Sequence, residues 1–136
     1  ALEVTEFSIE DMLLYAIQDE YSARTEYEYI MSVFDVETPF TNILRAEEKH
    51  ITMLLPLFET YDIEVPEDTS SDHIIELTTL LSTFETGVTA EILNISMYDL
   101  FLEQNLPDDI RDVFTSLRDA SVKHLAAFEK NVEENS

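Results

Sequence analysis

The sequence predicts an all-α fold: an antiparallel four-helix bundle in which a long crossover, containing a short helix, joins the second and third helices. One glycine and four prolines among 136 residues leave little to interrupt long helices. Apolar residues recur at alternating spacings of three and four along four stretches, the pattern of a helix with one buried stripe. The length fits a single domain, residues 1–136, with one core.

The first two helices are predicted to form a hairpin. Ser8, with Asp11 three residues later, is a helix-start signal, and the first stripe ends near Phe34. Thr38 followed by Pro39 is typical of an N-cap and the first position of a second helix. So short a connection makes the two helices antiparallel. The two stripes are Ile9, Leu13, Ala16, Glu20, Ala23, Tyr27, Ile30 and Phe34, and Phe40, Ile43, Glu47, His50, Leu54, Leu57 and Tyr61.

A crossover and a second hairpin follow. Residues 61–71 have the Pro, Asp and Ser content of a loop, and residues 72–81 predict the short helix of the crossover. The third helix is expected from residue 84 to about residue 106, and the fourth from residue 107 to about residue 130. Their stripes are Phe84, Val88, Glu91, Ile95, Tyr98 and Leu102, and Ile110, Phe114, Leu117, Ser121, His124 and Phe128.

Each of the four stripes is interrupted by residue types that bind metals. In the second stripe Glu47 precedes His50 by three residues, a spacing that puts the carboxylate and the imidazole on one face of a helix. A carboxylate buried without a partner is strongly destabilising, so a stripe that contains one needs a compensating group. Glu20, Glu91 and His124 interrupt the other three stripes.

The two hairpins repeat one pattern, because the glutamate in the first helix of each is followed seven residues later by a tyrosine. The polar pair of the second helix is echoed in the fourth helix, where serine replaces glutamate. Joined by a crossover, two such hairpins would place these residues around one interior point. The repeated positions are Glu20 and Tyr27, Glu91 and Tyr98, Glu47 and His50, and Ser121 and His124.

This convergence predicts a dinuclear metal site with five ligands, Glu20, Glu47, His50, Glu91 and His124. The chain has no cysteine, and oxygen and nitrogen ligands without sulfur suit Fe, Mn or Zn. Three carboxylates leave two divalent ions with about one net positive charge, so a hydroxide, an oxide or a substrate oxygen is expected as an exchangeable ligand. Taken singly, the same residues are compatible with boundary glutamates that reach solvent, or with Glu and His paired to each other.

Four more residues are candidates to support the ligands. Tyr27 and Tyr98 are interpreted as core residues whose hydroxyl groups bond the carboxylate ligands, with a redox role as the alternative. Asn94, one turn after Glu91, is either such a supporting residue or polar filler, and Ser121 stands where a ligand would complete the repeat. Glutamates off the stripes are expected to be solvated: Glu26, Glu28, Glu48 and Glu129.

The charge of the chain excludes some classes of partner. With 30 acidic and 7 basic residues the net charge is −23, which repels nucleic-acid phosphates and anionic membrane surfaces. The acidic excess suits either a salty environment or a field that gathers cations. No apolar run is long enough for a membrane span. The chain starts at Ala1 instead of Met, which indicates processing or truncation, so we expect a soluble protein that is either cytoplasmic or exported.

At these residues the chain resembles the ferritin-like superfamily, in particular the rubrerythrin-type di-iron carboxylate bundles, and most of all a family of ferritin-like domains of unknown function. The resemblance spans nearly the whole chain, through the segments EYSARTEY (20–27), FTNILRAEEKH (40–50), GVTAEILNISMYDL (87–100) and SVKHLAAF (121–128). It implies two bound iron ions, with Glu47 as the bridging ligand, Glu20 and His50 on one metal, and Glu91 and His124 on the other.

The chain departs from the rubrerythrin pattern in two ways. Rubrerythrins have a second Glu-x-x-His, but here the matching residue is Ser121, whose hydroxyl is a weak ligand. The second metal is therefore expected to be bound loosely, to use water or an outside anion, or to be missing. Rubrerythrin's rubredoxin-like domain, which donates electrons, needs cysteines, and this chain has none.

Three functions are compatible with these residues. The first is a dinuclear iron or manganese protein that reacts with oxygen or peroxide, as a ferroxidase or an oxidoreductase. The second is a binding protein that sequesters or delivers metal without turnover. The third is a metal-free helical module for partner binding. The expected partners are metal ions and oxygen or peroxide, without nucleic acid or membrane, and a homodimer is left open.

Overall fold

The computed structural model of the chain describes residues 7–73, 77 and 79–135, which contain four long α-helices and no β-strand. The helices are α1 (Ile9–Phe34), α2 (Phe40–Thr60), α3 (Leu80–Leu102) and α4 (Asp108–Glu134). α1 packs on α2 and α3 on α4 as two antiparallel hairpins, which a long crossover joins into a four-helix bundle, and the predicted fold class is confirmed. None of the helices in this described part is both long enough and apolar enough to cross a membrane.

The first hairpin starts as predicted, but its second helix does not. The Ser8 side chain accepts a hydrogen bond from the Asp11 backbone N–H at 3.0 Å, which caps α1. The prediction that Thr38 caps α2 is wrong, because Pro39 itself occupies the cap position and no side chain caps this helix. The threonine hydroxyl is thus one residue too far from the first turn. The peptide bond between Thr38 and Pro39 is cis.

The crossover contains a shorter helical segment than the sequence predicts. Ser70–His73 forms a 3₁₀ helix, whereas a helix is predicted over residues 72–81; residues 74–76 and 78 lie outside the described residues. This segment is tied to α1. The Arg24 guanidinium donates a hydrogen bond to Asp68 at 2.9 Å, and the Ser70 hydroxyl donates one to the Tyr21 carbonyl oxygen at 3.2 Å.

α3 begins at Leu80 and ends at Leu102, earlier at both ends than the predicted residues 84 and 106. A capping box fixes its start. The Thr79 hydroxyl oxygen accepts from the Ser82 N–H at 3.1 Å, and the Ser82 hydroxyl oxygen accepts from the Thr79 N–H at 3.2 Å. The apolar stripe begins only at Phe84, so it does not mark the first turn of the helix.

Two apolar clusters fill the bundle, one on each side of a polar layer. On every helix the ligand-type residues lie, in sequence, between members of the two clusters. The single glycine, Gly87, is part of this packing, because a Cβ at that position would lie 2.7 Å from the ring of Phe128. One cluster includes Leu13, Leu54, Tyr98, Phe101 and Phe114, and the other Tyr27, Ile30, Phe40, Phe84 and Phe128.

Candidate metal centre

The five predicted ligands meet in the polar layer, where the structure brings all of them together. They form two groups that share Glu47, and within each group one ligand atom per residue lies within 4.8 Å of the others. We name them half-site A (Glu20, Glu47 and His50) and half-site B (Glu47, Glu91 and His124). The exposed fractions of the five residues are 0% for Glu20, 1% for Glu47, 2% for Glu91, 5% for His50 and 8% for His124.

Half-site A joins α1 to α2 and is held by α3. His50 Nδ1 lies 3.2 Å from Glu20 Oε2 and 3.6 Å from Glu47 Oε2. The Tyr98 hydroxyl of α3 donates a hydrogen bond to Glu20 Oε1 at 2.9 Å. This bond leaves the other oxygen of Glu20 facing His50, so the carboxylate is oriented before any metal binds.

Half-site B joins α3 and α4 to the same Glu47. His124 Nδ1 lies 3.5 Å from Glu47 Oε1 and 3.5 Å from Glu91 Oε1. The Tyr27 hydroxyl of α1 donates to Glu91 Oε1 at 3.0 Å, so each tyrosine reaches across the bundle to the other hairpin. Burial, followed by the charge of Glu91, raises the pKa of Tyr27, and the hydroxyl stays a proton donor.

Glu47 lies between the two half-sites and directs one oxygen to each. Its Oε2 faces His50 and its Oε1 faces His124. The centroids of these two imidazole rings lie 6.1 Å apart. This is the geometry that a carboxylate needs to bridge two metal ions. The bridging role that the family resemblance implies for Glu47 stays a prediction, and the division of its two oxygens between the half-sites is compatible with it.

Asn94 and Ser121 form a pair at the edge of half-site B. The Asn94 amide nitrogen donates to the Ser121 hydroxyl oxygen at 2.5 Å, and both side chains are buried. Asn94 therefore supports the serine that replaces a second glutamate, instead of a ligand carboxylate. Asn94 Oδ1 is buried and receives no hydrogen bond. This oxygen is an acceptor without a donor beside the site.

The protein without metal holds protons in the cluster. Burial raises the pKa of Glu20 well above its ordinary value, and the charge of Glu47 raises it further. Burial alone would lower the pKa of His124, but the neighbouring carboxylates of Glu47 and Glu91 outweigh it and raise that pKa to about 9. Protons thus supply the positive charge that the buried carboxylates require.

The residues of both half-sites fit metal ions. All ligand atoms are carboxylate oxygens or imidazole nitrogens, the donors that Fe, Mn and Zn accept. Glu91 Oε2 and His124 Nδ1 are buried and make no hydrogen bond, a destabilising arrangement unless another group binds them. A divalent cation in each half-site would bind these atoms and displace the protons. The buried Glu and His groups could therefore hold metal.

A cavity of about 250 Å³, which the apolar stripes do not predict, lies beside half-site B, between α1 and α3. Asp19 is half-buried in its wall, next to Glu20 in sequence. Burial, followed by the charges of Glu47 and Glu91, raises the pKa of Asp19 to about 7. Asp19 is thus a further carboxylate close to the cluster, and it has no predicted role because it lies one residue away from the buried stripe of α1.

A local signal for this cavity does exist in the sequence. Asp19, Ala23 and Glu26 follow each other at spacings of four and three on α1, and Ala90 lies on the facing part of α3. Small residues on two facing helices leave room between them. Glu26, predicted to be solvated, is half-buried in this wall. The other three glutamates of that prediction are exposed as expected: Glu28, Glu48 and Glu129.

The fold and the site define a class of protein, a four-helix bundle with a buried cluster of glutamates and histidines that could hold metal. The chain belongs to the family described as "Uncharacterized protein domain (DUF2202)", whose profile matches residues 9–136. It is also similar to the crystal structure of the hypothetical protein MJ0754 from Methanococcus jannaschii DSM 2661, with a TM-score of 0.83 and 21% identity over 99% of this chain and 86% of that chain. At this identity the likeness supports the fold alone. A comparison with curated proteins found no match.

Proposed function

We propose that the protein binds two iron ions, or manganese, in half-sites A and B and reacts with oxygen or peroxide, as a ferroxidase or an oxidoreductase. The observation that carries this proposal is the pair of buried Glu/His groups that share Glu47. The resemblance to ferritin-like di-iron proteins, carried by the same residues, supports it. The proposal also accounts for three carboxylates at 2% exposure or less, since burying carboxylates without a cation beside them is destabilising.

The chain's own residues would bind and orient the metals. Bound iron would supply the one-electron steps by which oxygen or peroxide is reduced. Glu47 offers one oxygen to each half-site, so it fixes the distance between them. Tyr98 and Tyr27 hold Glu20 and Glu91 by one oxygen each and leave the second oxygen for the metal. The apolar clusters border the layer on both sides along the bundle.

Half-site B is the part of the centre at which an outside molecule would bind. Its fourth-helix contribution is one imidazole, because Ser121 replaces a second carboxylate and is occupied by Asn94. Both half-sites offer two carboxylates and one imidazole, because they share Glu47. A metal in half-site B would lack the further carboxylate that a complete repeat would supply from α4, and would keep an exchangeable position there. Before His124 binds, the proton that its raised pKa holds at pH 7 must leave.

Sequestration or delivery of metal without turnover is the second candidate. The same serine favours it, since a weakly bound second metal is easily released. The absence of cysteine favours it as well, because the chain has no thiolate cluster of its own to pass electrons to the centre. Zinc, which has no redox chemistry, would suit this function as well as iron does.

The test is elemental analysis of protein purified without added metal, followed by measurement of oxygen uptake when Fe(II) is added in air. We expect up to two equivalents of iron or manganese per chain and oxygen uptake faster than that of free Fe(II). Metal uptake without oxygen consumption would support sequestration. If the protein contains no metal and its melting temperature does not change on adding or chelating metal, the metal proposal is wrong and the helical interaction module stands in its place.

A further inference from the structure

The ligands of the candidate centre are almost completely buried, so metal ions need a route to them. The cavity between α1 and α3 reaches one of these ligands, because Glu91, only 2% exposed, forms part of its wall. Half-buried Asp19 lies in the same wall, and Ser70 of the crossover lies at the cavity too. The cavity therefore spans from partly exposed side chains to the edge of half-site B.

Two buried acceptors in the cavity wall point to a cationic or donor ligand. Glu91 Oε2 receives no hydrogen bond, and neither does Asn94 Oδ1. Both side chains are buried, and Asn94 is only 6% exposed. Among the residues that line the cavity there is no Lys, Arg or His, whereas Asp19, Glu26 and Glu91 are acidic. A passage of this composition concentrates hydrated cations and repels anions. Carboxylate, amide and hydroxyl oxygens are also the groups that can replace the water of a divalent ion step by step.

A second acidic cavity provides a comparison. It lies between α3 and α4, has a volume of about 440 Å³, and is lined by Glu85, Glu129 and Glu133 among others. None of the five candidate ligands lines it. Both cavities are therefore negatively charged. The α1–α3 cavity differs because Glu91 and Asn94, each with a buried oxygen that receives no hydrogen bond, line it.

We propose that the α1–α3 cavity is the route by which divalent cations reach the centre, with the Asp19 carboxylate capturing the hydrated ion and passing it to Glu91. This inference rests on the proposed metal binding. Half-site B is filled directly from the cavity, since Glu91 belongs to both. The ligands of half-site A do not line the cavity, so ions reach it through Glu47, which the two half-sites share.

The test is anaerobic stopped-flow loading of the metal-free protein with Co²⁺, followed by visible absorption, with the final Co²⁺ content measured separately. Asp19→Asn is expected to slow loading about tenfold, through lost electrostatic attraction, and to leave the final content unchanged. Ala90→Leu fills the cavity without changing charge and should slow loading as well. Glu129→Gln, with the same change of charge in the α3–α4 cavity, is the matched control and should load within about twofold of the wild-type rate.

The outcomes separate this inference from the proposed function. Slow loading of Asp19→Asn and Ala90→Leu, with full final content and a normal rate for Glu129→Gln, supports the route. Loading of both cavity variants at the wild-type rate overturns the route and leaves the proposed function standing. A lower final content in Asp19→Asn also overturns it, because Asp19 would then be a ligand. If wild-type protein binds no Co²⁺ at all, the proposed metal binding fails and the route fails with it.

Discussion

The two half-sites are built from repeated hairpins, yet they differ in how completely they are closed. In half-site A, the α2 pair Glu47 and His50 meets a glutamate that Tyr98 fixes, and none of its three candidate ligands lines the cavity between α1 and α3. In half-site B, the equivalent α4 position is Ser121, and Glu91 opens onto the cavity between α1 and α3. Under the proposed function, this one difference in a repeated pattern would separate a half-site that holds its metal from one that exchanges ligands.

The difference also shows in the atoms left without partners. Among the described residues, three buried atoms in or beside half-site B make no hydrogen bond, Glu91 Oε2, His124 Nδ1 and Asn94 Oδ1, against one atom on the side of half-site A, Glu47 Oε2. In half-site A, both oxygens of Glu20 have partners, Tyr98 and His50. Without metal, half-site A is therefore partly satisfied by its own residues, and half-site B depends more on an outside ligand.

The largest effect on metal binding is expected at Glu47, the residue that both half-sites share. Glu47→Ala should lower the affinity for both metals by about 100-fold or more, because even residues that only support a ligand contribute up to that factor to metal affinity. Metal content measured after gel filtration should fall towards zero. Glu48→Ala, an exposed neighbour on the same helix, is the control and should keep wild-type content. Wild-type metal content in Glu47→Ala would exclude the bridging role.

The second prediction makes the half-sites alike. Ser121→Glu restores the repeat and should raise the affinity for the second metal about tenfold or more, because a carboxylate is a stronger ligand than a hydroxyl. Without metal, the same variant should have a lower melting temperature, because a further carboxylate is buried at a position of 0% exposure. Calorimetric metal titration and thermal melts with and without metal measure the two effects.

Ser121→Ala is the matched control for that variant. It removes the hydroxyl and the bond from Asn94 but should leave the affinity of the second metal within about twofold, if serine is not a ligand. A loss of the second metal in Ser121→Ala would show that the hydroxyl binds it. In that case the exchangeable position of half-site B would have to be sought elsewhere.

The sequence predicted that the five candidate ligands are buried and close together, because the pattern of burial and the positions of the polar residues coincide there. A helix stripe reports which residues face the core, and Glu20, Glu47 and Glu91 stand in stripes that are otherwise apolar. All five candidate ligands and both tyrosines are buried, as the stripes require. Four stripes interrupted at matching heights could meet only in one layer, so the site followed from the fold.

Features that depend on the space between helices were not predictable in this way. Asp19 lies one residue off the stripe, and it lines the cavity that Ala23 and Ala90 also border. The start of α3 was placed too late, since the capping box of Thr79 and Ser82 is a local hydrogen-bond feature that apolar periodicity does not report. Periodicity identifies the faces of a helix but not its ends or the cavities between helices.

The third prediction is a dependence of stability on pH in the protein without metal. The pKa values of Asp19, Glu20 and His124 are raised on folding, so the folded state binds more protons than the unfolded state and stability falls as pH rises. For His124 the stabilisation is complete below pH 6.5 and is lost as pH rises through about 9. Its loss corresponds to at most about 3 kcal/mol, at 1.4 kcal/mol per pKa unit.

Urea unfolding in the presence of a chelator at pH 5, 7 and 9 measures this dependence. His124→Gln, which removes the titrating imidazole of half-site B, should make the fall between pH 6.5 and 9 smaller and leave the part of the fall that comes from Asp19 and Glu20. Added metal should reverse the trend, because its ligands must lose their protons to bind. A metal-free protein that becomes more stable from pH 5 to 9 would contradict the proton-holding cluster.

The smallest effects are expected from the two tyrosines, which test whether the half-sites respond separately. Tyr98→Phe frees Glu20 and should weaken the metal of half-site A about tenfold, whereas Tyr27→Phe frees Glu91 and should weaken that of half-site B by a similar factor. Because half-site B starts weaker, the same factor has different consequences in a metal titration. Tyr27→Phe should reduce the bound metal to about one ion per chain, and Tyr98→Phe should keep two with lower affinity for the first. If both variants lower the affinity for the same one of the two metal ions, the two tyrosines support one metal, and the division of the centre into half-sites is wrong.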